Sequence, residues 1–150
     1  MNPSALNPLV AAWRRFVALL ESLQPLAQMA ARLYVAQVFF LSGLTKIGNW
    51  ETTLALFEDE YQVPLLPPPV AAVMGTGGEL VLPVLLALGL GGRFAAAGLS
   101  VVNIVAVLSL AEIAPAALQQ HQFWGSLLLA LLLWGPGRWS LDTILTKRLG

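Results

Sequence analysis

The sequence has no cysteine, a single histidine and little charge. Without cysteine there is no disulfide, no thiolate nucleophile, no thiolate zinc site and no iron–sulfur cluster. One histidine alone cannot assemble a typical metal centre, so no metal and no intrinsic cofactor is expected. Only 11% of the 150 residues are charged, against about a quarter in an ordinary soluble domain. That excludes a disordered chain, which depends on polarity and charge. Eight Lys and Arg are cancelled by eight Asp and Glu, which leaves no basic excess for nucleic acid. Phosphate loops, nucleophile elbows and metalloprotease motifs are also missing.

What is present is apolar: 57% hydrophobic residues and a mean hydropathy of +0.75. Residues 33–45, 61–78, 80–92, 94–111 and 113–137 carry no Asp, Glu, Lys or Arg. A membrane-crossing helix needs about 20 mostly apolar residues. The runs predict four spans, near 29–48, 69–90, 92–112 and 120–136, with an outward loop at 49–68. Continuous runs, rather than period-two alternation, point to helices and not to a barrel. A soluble bundle would need polar faces, and these runs offer almost none. The expected fold class is an all-α integral membrane protein. A four-transmembrane-helix bundle (28–137) follows an amphipathic segment (1–27) and precedes a short tail (138–150).

Four spans put both termini on one side. That side carries Arg14, Arg15, Arg93, Arg138, Lys147 and Arg148, with Arg32 at its edge. The other side has Lys46 with Glu51, Glu58, Asp59, Glu60 and Glu112. Basic residues mark the cytoplasmic side, so both termini are expected in the cytoplasm. Trp50 and Trp124 then fall near the outer boundary, and Trp134 and Trp139 near the inner one, where indoles prefer to lie.

Before the first span, Leu6, Leu9, Val10, Trp13, Phe16, Val17, Leu20 and Leu23 recur at helical spacing. Asn7, Arg14, Arg15 and Glu21 lie off that stripe. The pattern predicts an amphipathic helix, lying in the headgroup layer or packed on a partner protein. Arg14-Arg15-Phe16 is a fragment of a twin-arginine signal, but the apolar stretch after it is too short. Pro25 is expected to break or bend the chain. In the loop, Asn49 can cap a short helix from Trp50 to Tyr61. The acidic run Glu58-Asp59-Glu60 is a candidate docking element for a partner, and Pro64 and Pro67 to Pro69 form a stiff re-entry segment. Glycines 89, 91 and 92 make the inner turn, Pro115 marks the outer one, and Gly135-Pro136-Gly137 stops the last span.

The polar residues within the spans are the candidates for chemistry. Glu79 lies about 11 residues from either end of the second span, at a depth of about 16 Å. A carboxylate there faces the bundle, paired or protonated. Arg32, Ala36, Phe39, Gly43 and Lys46 share one stripe of the first span. Either Arg32 or Lys46 can reach Glu79. In the third span Ser100 and Asn103 align with Arg93, and the Asn103 amide must find hydrogen bonds. Read functionally, Arg32, Gly43, Lys46, Glu79 and Asn103 form an intramembrane polar site for a proton, a small polar molecule or a quinone headgroup. Read structurally, they fix helix register. His121, among Gln119, Gln120 and Gln122, reads more simply as an interfacial polar residue than as a metal ligand.

Arg32, the stretch from Phe39 to Ile47 (Phe-Phe-Leu-Ser-Gly-Leu-Thr-Lys-Ile) and Gly78-Glu79-Leu80 with Gly92-Arg93-Phe94 resemble the DoxX family. The match covers roughly 30–136, with Arg32, Gly43, Lys46, Glu79 and Arg93 on the family pattern. The resemblance implies a four-helix bacterial inner-membrane protein linked to membrane redox work. Some members are similar to a quinone-reducing oxidoreductase subunit, and others assemble with soluble oxidative-stress enzymes. Three functions follow as expectations. One is a non-metal membrane subunit or anchor that meets quinone. Another is a non-catalytic scaffold. The third is a small transporter, whose ion path would need a homo-oligomer.

Overall fold

A computed structural model describes residues 8–149. Leu6 of the amphipathic stripe, and Asn7 beside it, lie outside the described residues. The elements are α1 (Pro8–Gly48), α2 (Trp50–Asp59), α3 (Pro68–Leu88), α4 (Gly92–Leu108), α5 (Pro115–Trp134) and α6 (Leu141–Leu149). Among the described residues there is no strand, only an isolated bridge between Tyr61 and Leu110.

The first element differs from expectation. Pro25 lies inside α1, and the helix runs through it for 41 residues. Proline forfeits one backbone bond, but its fixed φ suits a helix. The surrounding Ala, Leu, Gln and Met favour continuation. At 1.5 Å per residue α1 is about 62 Å long, twice the ~30 Å hydrocarbon thickness of a bilayer.

The other ends follow local chemistry. Asn49 caps α2 as its position suggests, its side chain accepting from Thr52 N at 3.1 Å. The helix stops at Asp59, two residues short of Tyr61. Pro68 and Pro69 occupy the first positions of α3, where a missing N–H costs nothing. Gly89 ends α3 at φ +66°, with Gly89 N bonded to Leu86 O and Leu90 N to Leu85 O. This left-handed cap suits glycine. α4 ends at Leu108 rather than 112, because Ser109 donates back to Val105 O while its carbonyl accepts from Gln62 N. α5 starts at Pro115, not 120, with the proline in its first turn.

The second half of α1 packs on α3, α3 on α4 and α4 on α5, and α5 returns to α1. α2 covers the adjoining end of α3. The core joins Val35 and Phe39, Leu86, Ala95, Ala96 and Leu99, and Leu128 and Leu131. Close approach depends on glycine at Gly43, where an added Cβ would lie 2.9 Å from the Leu80 side chain and 3.1 Å from Glu79 Cβ.

The polarity of the bundle is inverted. Leu41, Val73, Val81, Val101, Ile104, Phe123 and Leu133 point outward and are exposed, while Arg32, Thr76, Glu79 and Asn103 are buried. Water disfavours so much outward apolar surface, whereas hydrocarbon suits it. Among the described residues one helix, α3, is long and apolar enough to cross a membrane by length and composition; α4 is a shorter apolar helix.

Candidate functional site

Two matched stripes bring the site together. α1 faces inward at Arg32, Ala36, Phe39 and Gly43, and α3 at Ala72, Thr76, Glu79, Pro83 and Leu86. Each advances by alternating steps of three and four, so the helices pack along their length. Because they run antiparallel, Gly43 meets Glu79 and Leu80, while Arg32 meets Gly89.

That register selects Lys46 for Glu79. Lys46 Nζ lies 2.6 Å from Glu79 Oε2 and 2.8 Å from Oε1. It also donates to Ser42 Oγ at 2.9 Å, one turn back on α1. The three ammonium protons therefore all have acceptors. Lys46 lies in the last turn of α1, where a cation complements the helix dipole. The Lys46 carbonyl accepts from Thr53 Oγ1 at 2.8 Å, so α2 ties down the end that carries the ammonium.

Arg32 lies elsewhere. It is buried near the α3–α4 turn, and Nη2 donates to Trp139 O at 2.7 Å. Its Nε and Nη1 have no partner among the described residues. The same junction holds Asp142, whose carboxylate accepts from Gly91 N at 2.8 Å and Gly92 N at 2.9 Å. Arg32 thus sits beside the chain that caps the start of α4. Glu58, Asp59 and Glu60 are exposed around the end of α2, and none of them bonds to the ion pair.

The ion pair lines a cavity of about 320 Å³. Its walls are largely Phe57, Met74, Val101, Val102, Val105 and Leu110, with Ser42, Tyr61 and His121 as further polar groups. Such a volume is at the small end for ligand sites, enough for one ring-sized molecule. Tyr61 stands at the rim in the loop after α2. Its hydroxyl is pushed above the ordinary phenol range, first by burial and then by the charges of Glu60 and Glu79. Phe57 stacks edge-on against it, with ring centroids 5.0 Å apart.

Asn103 backs the opposite wall. Its Nδ2 donates to His121 O at 3.0 Å, and its Oδ1 lies 2.8 Å from His121 Nδ1. Of the expected site residues, Gly43, Lys46 and Glu79 are brought together. Asn103 reaches the cavity through His121, and Arg32 belongs to the junction of the α3–α4 turn with Trp139. His121 and Tyr61 were not anticipated as cavity groups. The α4–α5 hairpin turns near residue 112, so residues 103 and 121 fall opposite one another. That arithmetic was the signal for His121. For Tyr61 there was none, because its place depends on the bridge to Leu110.

The family model for DoxX matches residues 27–112. An uncharacterized protein of Haemophilus influenzae is 31% identical over 123 residues, spanning 77% of this chain and 81% of that relative. No solved structure matches. The matched region contains the Lys46–Glu79 pair, Gly43 and Asn103, and the outward apolar faces of the bundle suit the membrane setting of that family. The chain belongs to the DoxX family of membrane proteins.

Proposed function

We propose that this DoxX protein is a non-metal membrane subunit or anchor of a redox or stress-response assembly, and that its cavity receives a quinone headgroup. The observation that carries this reading is an ion pair in the wall of a largely apolar cavity. An ion pair that only fixes register needs no open space beside it. Here the space is ring-sized, lined by aliphatic side chains and edged by four kinds of polar group. A quinone when bound would supply two-electron, two-proton chemistry. The chain's own part is to enclose the ring, orient it between Glu79 and His121, and exclude water.

The proposed setting is the bacterial inner membrane, with four spans formed by the second half of α1, α3, α4 and α5. Both termini lie in the cytoplasm, following the basic residues at the α3–α4 turn and the tail. The partner would be a soluble oxidoreductase or stress-response enzyme. Purification at native expression level in mild detergent, with mass spectrometry of bound proteins and lipids, tests this. Retained quinone or a stoichiometric oxidoreductase supports it. A stable, folded preparation carrying neither contradicts it.

A scaffold role is the second reading. The first half of α1 exposes Leu9, Trp13, Phe16, Leu20 and Leu23. Deleting residues 8–24 should release the partner under this reading and leave quinone retention intact.

A further inference from the structure

We infer that the cavity is built from hydrogen-bond acceptors, and that His121, held with its proton on Nδ1 and a bare Nε2, selects a hydroxyl-bearing ring over its carbonyl form. The inference rests on the cavity reading above and names the chemical form of its ligand.

The argument starts at Asn103. A carboxamide nitrogen only donates and a carboxamide oxygen only accepts. The His121 carbonyl can only accept, so the contact at 3.0 Å must use Asn103 Nδ2. That fixes the amide orientation and turns Oδ1 toward the ring, 2.8 Å from Nδ1. Because Oδ1 cannot donate, Nδ1 must carry the proton. The ring's second nitrogen then keeps its lone pair. Nε2 has no protein partner among the described residues, and His121 forms part of the cavity wall. Among the described residues no carboxylate is bonded to the imidazole to favour a second proton, and the neutral form, bare at Nε2, is the one the proposal assigns. Trp124 packs edge-on against it with centroids 5.0 Å apart and holds its plane.

The opposite wall has the same bias. Lys46 spends its three protons on Glu79 and Ser42. It has none left for a ligand carbonyl. The two Glu79 oxygens each take one of those bonds and retain further lone pairs. Two walls therefore offer acceptors, while among the lining hydroxyls Ser42 and Tyr61 can act as donors and Ser109 gives its proton to Val105 O. A ring with hydroxyl groups satisfies both walls. The oxidised ring, with carbonyl oxygens, brings no donor to Nε2 and forgoes that hydrogen bond, while Glu79 keeps its bonds to Lys46. The site therefore favours the reduced, dihydroxy form of a quinone.

The chain has a single histidine, so nitrogen-15 NMR of histidine-labelled protein in detergent reads this tautomer without ambiguity. The expected spectrum shows a protonated Nδ1 and a bare Nε2. Asn103→Leu, which removes the acceptor that holds the Nδ1 proton, should mix the two tautomers. A proton on Nε2 in the unsubstituted protein overturns the inference.

Calorimetric binding of a short-chain hydroquinone, its dimethyl ether and the matching quinone forms the second arm. The hydroquinone should bind about tenfold tighter than either analogue, one charge-free hydrogen bond's worth. His121→Phe should reduce that ratio at least several-fold. Equal binding of all three overturns the inference and leaves the cavity reading standing. Binding of none overturns both. Should His121→Phe fail to fold, the tautomer and the binding ratio of the unsubstituted protein still decide the matter.

Discussion

Replacing Glu79 with leucine removes two of the three bonds that hold the Lys46 ammonium, leaving only Ser42 Oγ. The stranded charge then sits among Phe57, Val101 and Val105. Breaking a buried pair from one side costs about 3–5 kcal/mol. An independent ceiling agrees, since a stranded group can escape by neutralising. At pH 7 that costs an ammonium about 4.6 kcal/mol and a carboxylate about 3.7 kcal/mol from their ordinary pKa values. Both side chains keep some exposure, 20% for Lys46 and 10% for Glu79, so the lower half of the range is expected. Glu79→Leu should cost about 3 kcal/mol and Lys46→Met slightly less, by the same reasoning. The double variant restores charge balance and packs apolar groups together. It should cost under about 1.5 kcal/mol, a coupling of several kcal/mol. Reversible unfolding in mixed micelles, run as a double-mutant cycle, measures this. Additive losses, with coupling below about 0.5 kcal/mol, would refute the claim that the pair is desolvated and interdependent.

Other substitutions probe the surroundings. Gly43→Val should destabilise the fold by about 1–3 kcal/mol, because its side chain meets Leu80 and Glu79; thermal unfolding in detergent reads the loss, and Gly43→Ala should lose less. Asp142→Asn should cost about 0.5–2 kcal/mol by weakening the cap on Gly91 and Gly92, seen as faster hydrogen exchange at the start of α4. Tyr61 holds its proton more tightly folded than unfolded, so its stabilising contribution is complete below about pH 10 and is lost as pH rises through the folded value. Tyr61→Phe should therefore flatten the alkaline fall in stability, and an unchanged fall would contradict the burial of that hydroxyl. A single cysteine at position 59 should react with an impermeant thiol reagent from outside the cell and not from the cytoplasm.

Much of this site was legible because helices repeat. Lys46 and Glu79 were readable as partners from the three-and-four spacing on each strip. The same stripe also carried Arg32, and that misled. A stripe shows which residues share a face, not which share a depth. Arg32 and Lys46 are 14 residues apart, so about 21 Å separates them along α1. Antiparallel register decides between them, and it emerges only from the close fit of Gly43 on Leu80. Pro25 shows the opposite error. A proline is a strong local signal, yet one lost bond in a long helix is outweighed by its neighbours. His121 was hidden because its polar glutamine neighbours suggested an interface, while its own bonds run across the hairpin to Asn103.

The central claim is that the space between the Lys46–Glu79 pair and His121 receives a ring-sized, lipid-soluble ligand. Labelling with a photoreactive quinone analogue in native membranes, mapped by peptide mass spectrometry, tests it most directly. The account predicts adducts on cavity residues such as Phe57, Val102 and Val105, competed by unlabelled quinol and lost in Glu79→Leu. Adducts confined to outward residues such as Val81, Ile104 and Leu133, unaffected by competitor, would contradict it.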